Sequence, residues 1–409
     1  MNILKPKSRF VGLVIAIAIP SSTAVFAVDP LSPNAETKLQ AIAPPVQTAA
    51  LRLGSFDIHP GLSAGVTYDD NFTLAPTLKR ADVIWTVTPS IGAVLDNTSQ
   101  GYGTLLSLDY APSFVEFMHN DDNDSINQKA VFAASWVGAK LSLGVKQTYE
   151  EEKAGVVEVG QRIRTTTYRT EVNSKYNLSD KMSVELNPRL TIADSQTHIG
   201  YTEYAADAFL NRLVTSKVTA SIGTSFGYLD VRDTPPSHQE YERALLKLNY
   251  ALSGKVDLDA TAGAEFRQFG GGNSGSRATP VFGIGGAYRP FEGTTLTLEA
   301  SRHDQVSAVI SDQNYTSTGI NAGIRQRFMD RFFASVNGAY ENRDYYQATL
   351  AGAPATRNDD FFLVRVMFGA NIRKDWTADV FYQYEENVST DLTHKFTDYQ
   401  IGLQTSWRM

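Results

Sequence analysis

The sequence predicts an all-β fold, a transmembrane antiparallel up-and-down β-barrel of about eighteen strands. Three observations predict it. Segments of ten to fifteen residues alternate apolar and polar side chains, their connections alternate between short and long, and aromatic residues gather at segment ends.

The chain opens with Lys5, Lys7 and Arg9, an apolar run from Phe10 to Ile19, Pro20, and then Val25-Phe26-Ala27. This is the pattern of a secretory signal peptide over residues 1–27, cleaved after Ala27. The apolar run is about half the ~20 residues a membrane-crossing helix needs. Residues 28–54 hold Pro30, Pro33, Pro44 and Pro45 without a clear period, and are expected to form a periplasmic tail or linker. A short helix around Glu36 to Ile42 is disfavoured by its brevity and its flanking prolines. The barrel is expected over residues 55–409.

Alternation is clearest in the last segment. Tyr399, Ile401, Leu403, Thr405, Trp407 and Met409 share one parity; Asp398, Gln400, Gln404, Ser406 and Arg408 share the other. Phe362, Val364, Val366 and Phe368 interleave with Arg365, and Leu246, Leu248 and Tyr250 with Arg243, Lys247 and Asn249. Short turns are expected near residues 96–100, 137–140, 178–181, 215–217, 253–255, 290–294, 329–331 and 373–375. Longer loops are expected near 69–81, 118–124, 150–160, 195–200, 230–238, 270–276, 304–312, 347–359 and 387–393. Eight turns and nine loops join eighteen strands, with tight periplasmic turns and longer external loops. A soluble sandwich or propeller would also alternate, but its strands are typically about five or six residues long, against ~9 to 11 for a tilted membrane strand.

Tyr68, Phe72, Phe114, Phe117, Phe328, Phe332, Phe333, Tyr340, Tyr345, Trp376, Tyr382 and Tyr384 sit near segment ends, as interfacial girdles require. The final strand is aromatic-rich and amphipathic, like the signal read by barrel-insertion machinery, although it ends in Met409 rather than Phe. The expected surroundings are outer-membrane lipid and lipopolysaccharide.

The composition excludes several chemistries. No cysteine is present, so disulfides, thiolate metal sites, thiol nucleophiles and lipoprotein acylation are absent. A net charge of −7 argues against nucleic acid. The six histidines, His59, His119, His198, His238, His303 and His394, are scattered, with no metal-ligand spacing or Ser/Asp partner motif. His119 with Asp121, Asp122 and Asp124 is the best metal candidate, yet it lacks a calcium-loop pattern and reads as a solvated acidic loop. The glycine-rich stretch from Gly270 to Gly275 lacks the lysine and helix of a phosphate loop. No catalytic residue and no cofactor is expected.

What remains is the inner face. The candidate lumen-lining residues are Arg169, Lys175, Arg189, Arg243, Lys247, Glu265, Arg325, Arg327, Glu341, Arg343, Arg365, Asp379, Glu385 and Arg408, all on the parity opposite the apolar stripes. Facing lipid they would be prohibitive, so they face water or one another. The same groups can line a passage or simply pair across strands. Strand number favours a passage, since 16 to 18 strands enclose an aqueous channel unless it is plugged. The loop at 347–359 is the expected constriction or plug, and Phe333, Phe361 and Phe381 are the inward aromatics that could meet a glycan.

The element Gly65-Val66-Thr67-Tyr68-Asp69-Asp70-Asn71-Phe72, with Arg343-Asp344-Tyr345-Tyr346 and Gly286-Ala287-Tyr288-Arg289-Pro290, resembles the outer-membrane β-barrel porin family often encoded with exopolysaccharide or capsule genes. The resemblance implies a barrel and polysaccharide passage, and supplies no catalytic residues. The leading expectation is therefore a non-enzymatic pore for small polar solutes or a polysaccharide. A non-conducting scaffold or adhesin is the alternative, and an outer-membrane hydrolase is third.

Overall fold

The computed structural model describes residues 51–409, apart from 100, 196–198, 233–236, 253, 271–274, 308–312 and 348–353. The segments read as signal peptide and tail therefore lie outside the described residues, except that Leu51–Leu53 (β1) pairs with the start of the next strand. The barrel strands follow in order: Phe56–Asp69 (β2), Asp82–Ser99 (β3), Tyr102–Phe117 (β4), Ser125–Val137 (β5), Leu141–Val156 (β6), Gln161–Ser179 (β7), Met182–Ser195 (β8), Gly200–Thr215 (β9) and Val218–Arg232 (β10). The second half comprises Ser237–Leu252 (β11), Val256–Gly270 (β12), Gly275–Tyr288 (β13), Thr294–Val306 (β14), Gln313–Phe328 (β15), Phe332–Gln347 (β16), Pro354–Arg373 (β17), Trp376–Ser389 (β18) and Phe396–Arg408 (β19).

Each strand pairs antiparallel with its sequence neighbour, and β19 closes the ring on β2, with Ile401 opposite Tyr68 and Trp407 opposite Leu62. At the seam Met409 N donates to Pro60 O at 3.0 Å. Eighteen strands thus form a closed up-and-down barrel with no free sheet edge around most of its height.

The register explains the alternation. Leu62, Trp85, Leu108, Phe132, Leu186, Ile222, Leu246, Phe266, Ile284, Val364 and Leu403 all point outward. Around this apolar face run two aromatic rings. Tyr68, Tyr168, Tyr204, Tyr340 and Tyr399 lie towards the long connections; Trp136, Tyr176, Tyr288, Phe368 and Trp407 lie towards the short turns. Tyr168 and Tyr176 on β7, like Tyr399 and Trp407 on β19, are eight residues apart. At ~3.3 Å per residue this is about 26 Å along the strand, which at a tilt of about 40° rises about 20 Å, close to the apolar band about 25 Å tall. A closed barrel with this belt is a bacterial outer-membrane barrel.

The strands run 13 to 20 residues, longer than the bilayer requires. Beyond the external ring the outward parity turns polar, with Glu151, Lys153, Arg164, Asp194, Arg232 and Glu240. These extensions correct the expected loop lengths. The segment from Glu150 to Val156, read as loop, is strand, and only residues 157–160 turn. Likewise Pro354 to Asp359 belongs to β17. The short turns fall close to where expected, although Asp96 to Ser99, read as turn, belongs to β3; at one of them Met329 and Asp330 both take positive φ, 48° and 59°, as a two-residue hairpin turn demands.

Candidate functional site

Beneath the external mouth, three segments leave the wall and fold into the lumen. The first is the β6–β7 turn. Val157, Glu158 and Val159 are buried although they form the tip of a hairpin. Gly160 takes φ +67° to complete the turn and lies 3.5 Å from His394 at the position a Cβ would occupy. The turn reaches the opposite wall: Ser307 Oγ donates to Glu158 Oε1, and Arg357 Nη2 donates to the Glu158 carbonyl at 2.9 Å. These partners are 149 and 199 residues away in sequence.

The second segment is the β2–β3 connection. Asn71 is fully buried and donates to Thr397 O at 2.9 Å. Phe72 packs on Phe117 with ring centroids 5.0 Å apart. Leu74 joins Val157, Phe361 and Phe396 in one apolar cluster, which ties two external connections to the inner faces of β17 and β19.

The third is the external end of β14–β16. β13 pairs with β14 only from Phe282↔Arg302 to Tyr288↔Leu296, so Gly275 to Val281 has a partner in β12 alone. Pro280 stands in this half-paired stretch, where a missing N–H costs nothing. Above the break β14 bends inward, and residues of formally outward parity become buried. Thr279 Oγ1 donates to Asp304 Oδ2 at 2.9 Å and Thr316 Oγ1 to Asp304 Oδ1 at 2.6 Å. Asn314 Nδ2 donates to Gln239 Oε1 at 2.8 Å, and the Arg277 guanidinium stacks 4.1 Å over Tyr346.

Below the plug the inner wall has two characters. On β11–β18 it is covered. Glu265 sits between Arg243 and Arg267, both Nε–O distances being 2.7 Å. Glu341 pairs with Arg343 at 2.6 Å and accepts from Ser317 Oγ at 2.6 Å. The cover extends to the middle of β8, where Arg189 reaches Asp207 of β9 at 3.2 Å and the Tyr241 hydroxyl at 2.8 Å. Around Lys146, Lys175 and Glu185 on β6–β8, and at Arg408 on β19, the wall is open. Lys175 pairs with Glu185 at 3.3 Å, and Arg408 with Asp109 at 3.5 Å, with the Lys175 and Arg408 side chains 49% and 40% exposed.

All fourteen candidate residues fall on the inner parity of their strands. Arg169, Lys175 and Arg189 lie on β7 and β8; Arg243, Lys247 and Glu265 on β11 and β12; Arg325, Arg327, Glu341 and Arg343 on β15 and β16; Arg365, Asp379, Glu385 and Arg408 on β17 to β19. They do not form one ring. Lys175 faces open lumen, whereas Arg243, Glu265, Glu341, Arg343 and Glu385 are packed among neighbours. Glu158, Arg357 and Asp359 lie in segments that read as loops, where no alternation marks an inner face, whereas Arg267 shares the inner parity of Glu265 on β12 and was legible by the same rule.

Four aromatics assigned to the girdles are internal: Phe72, Phe117, Phe333 and Tyr345 are buried. Of the loop expected as a plug at 347–359, residues 348–353 lie outside the described ones; of the rest, Arg357, held by Asp359, donates to the carbonyl of Glu158 in the β6–β7 turn. Phe333, Phe361 and Phe381 face inward, but guanidinium groups of Arg325, Arg343 and Arg365 lie 4.2, 5.9 and 4.0 Å from their ring centroids. His119 Nδ1 lies 3.2 Å from Asp82 Oδ1. Among the described residues no group of three or more His, Asp or Glu is arranged around a metal position.

No family model and no curated protein matches the chain. Among solved structures it is similar to OccAB4 of Acinetobacter baumannii, with 11% identity and TM-score 0.47 over 90% of this chain and 100% of that one. It is similar also to OccK2 (OpdF) of Pseudomonas aeruginosa, with 10% identity and TM-score 0.47 over 87% and 98%, and to OprD of the same organism, with 10% and 0.43 over 86% and 95%. Likeness this distant carries neither residues nor a solute to this chain.

Proposed function

We propose that the chain is a gated pore that passes small polar solutes across the outer membrane, its external mouth held shut by the β6–β7 turn. The observation that carries this reading is the contrast inside the barrel. An eighteen-stranded wall with accessible, charged side chains on β6–β8 lies beneath a mouth filled by three inward segments, one of them the four-residue β6–β7 turn. Accessible ion pairs of both signs suit hydrated solutes rather than apolar ones. The plug is anchored mainly by the Val157 cluster and by Glu158, few enough contacts to be released locally without unfolding the wall.

Passage of a polysaccharide rests on the resemblance alone. The inward phenylalanines that could stack on sugar rings have guanidinium groups over their faces, and a polymer would have to displace these first.

The test is planar-bilayer conductance of the refolded full chain beside a Val157→Ser/Val159→Ser variant. Brief openings in the parent and long-lived steps in the variant are expected. Silence from both, with barrels verified by heat-modifiable mobility, would refute a pore and favour a scaffold.

A further inference from the structure

We infer that Arg302 and the outward side chains beside it form a docking site for the phosphorylated sugar headgroup of an outer-leaflet glycolipid, with an acyl chain of that lipid lying in a trough over Ala322 and Gly338. The site is on the lipid-facing surface and does not depend on whether the lumen conducts.

Arg302 shares the outward parity of Leu298 and Ala300 on β14, and it forms the last pair, with Phe282, before β13 and β14 part. Tyr340 of the external ring pairs with Ile320, and Ile320 with Ala300, so Arg302 stands one outward position beyond the register row of that tyrosine. A cation on the lipid side is costly unless it meets a counter-charge. Other outward cations of the external half find one within the wall: Arg164 pairs with Glu151, and Arg232 with Asp194 at 2.7 Å. Arg302 does not. Among the described residues it has no ion pair, and it donates to the Thr318 hydroxyl at 2.6 Å. That hydroxyl engages a single N–H of a guanidinium whose donor fork matches a phosphate. Access is open on the β13 side, because Gly275 to Val281 has no partner in β14 and its outward residues Ser276, Ala278 and Pro280 are small.

Arg302, Thr318, Asn342 and Asp360 follow one register row across β14–β17. Asp360 Oδ1 accepts from Asn342 Nδ2 at 3.0 Å and from the Tyr340 hydroxyl at 2.7 Å. The row spans three strand spacings of about 4.8 Å each, with a cation at one end and hydroxyl, amide and carboxylate groups along the rest. Phosphate belongs at the Arg302 end, and sugar hydroxyls suit the acceptors towards Asp360. Four residues nearer the periplasm on β15 and β16, Ala322 faces Gly338, with Leu298 and Val364 paired to them on either side. This second row is high at its edges and low over two strands, a trough in which an extended acyl chain gains dispersion contact. A Cβ added at Gly338 would meet nothing nearer than the Leu363 carbonyl at 3.9 Å, so the trough can be filled without straining the wall.

The experiment titrates the refolded full chain in micelles with diphosphoryl lipid A, with its fully dephosphorylated form and with inorganic phosphate, by calorimetry and native mass spectrometry. Diphosphoryl lipid A is expected to bind Arg302→Gln about tenfold more weakly than the parent, as loss of charge-assisted hydrogen bonds implies. Arg302→Lys should fall between, Gly338→Leu should also weaken binding, and Arg232→Gln should match the parent. Heat-modifiable mobility verifies that each variant is folded. Equal affinity for the phosphorylated and dephosphorylated lipid, or parent-like binding by Arg302→Gln, would overturn the inference. Inorganic phosphate binding as tightly as the lipid would overturn the glycolipid as its source, and parent-like binding by Gly338→Leu would overturn the placing of the acyl chain. None of these outcomes bears on conductance, so the pore reading stands or falls separately.

Discussion

Arg243 Nε donates to Glu265 Oε2 at 2.7 Å, and Arg267 meets the other oxygen of the same carboxylate at the same distance, with Glu265 itself fully buried. Two cations thus depend on one anion in a covered part of the inner wall. Removing a single partner from a buried ion pair typically costs about 3–5 kcal/mol because a charge is left uncompensated. Glu265→Gln is expected to lower stability by that order in urea unfolding from lipid vesicles. Adding Arg243→Met should restore part of it. A Glu265→Gln penalty under about 1 kcal/mol would mean that water reaches both guanidiniums.

Adjacent residues on β11 provide a test of the two faces. Leu246 points outward and is 62% exposed in the isolated barrel, while Lys247 points inward with Nζ 5.6 Å from the Phe209 ring centroid. Leu246→Arg places a charge against lipid and should cost about 2–4 kcal/mol if it lies near the midplane. Lys247→Gln forfeits a cation–π contact of about 0.5–1 kcal/mol. Reversal of this order in vesicle-refolding titrations would put β11 in the opposite register.

The strand count, the parity of each candidate charge and the approximate positions of the short turns were legible because each is a local property of the sequence. The segment from Glu150 to Val156 was not, for a physical reason. It stands beyond the external ring, so Glu150 and Glu152 on the inner parity and Glu151 and Lys153 on the outer are all polar. A strand wetted on both faces has no period-2 hydropathy signal. The contact between Glu158 and Ser307 is illegible in principle, because it joins a turn to a wall 149 residues later. One signal was available and unused: Pro280 within an alternating segment marks a strand lacking a partner on one side, and there β13 and β14 part.

Gly160 offers a way to weaken the plug without touching its charge. Its φ of +67° lies in the left-handed region, where a residue with a Cβ costs about 1–2 kcal/mol. The nearest atoms to an added Cβ, in Thr393 and His394, are at 3.5 Å, so strain rather than collision governs the outcome. Gly160→Ala should raise the open fraction about five- to thirtyfold in single-channel records, since each 1.4 kcal/mol is a factor of ten. Heat-modifiable mobility should be unchanged. Loss of that mobility would place the turn in the folding of the barrel rather than in its gating.

The open wall should set ion selectivity, and the covered wall should not. Lys146 lies 3.9 Å from Glu171, and Lys175 lies 3.3 Å from Glu185, with the two lysine side chains 42% and 49% exposed. Pairs so exposed contribute about 0–1 kcal/mol to stability, so their charges can act on passing ions. Lys175→Glu changes the local charge by two units and should shift the reversal potential in a KCl gradient towards cation preference. The shift should shrink at 1 M salt, where the screening length falls to about 3 Å. Arg343→Gln, on the covered wall beside Glu341, should lower stability and leave the reversal potential unmoved. If Arg343→Gln shifts selectivity as much as Lys175→Glu, ions travel along β15–β17, and the solute path assigned to β6–β8 is wrong.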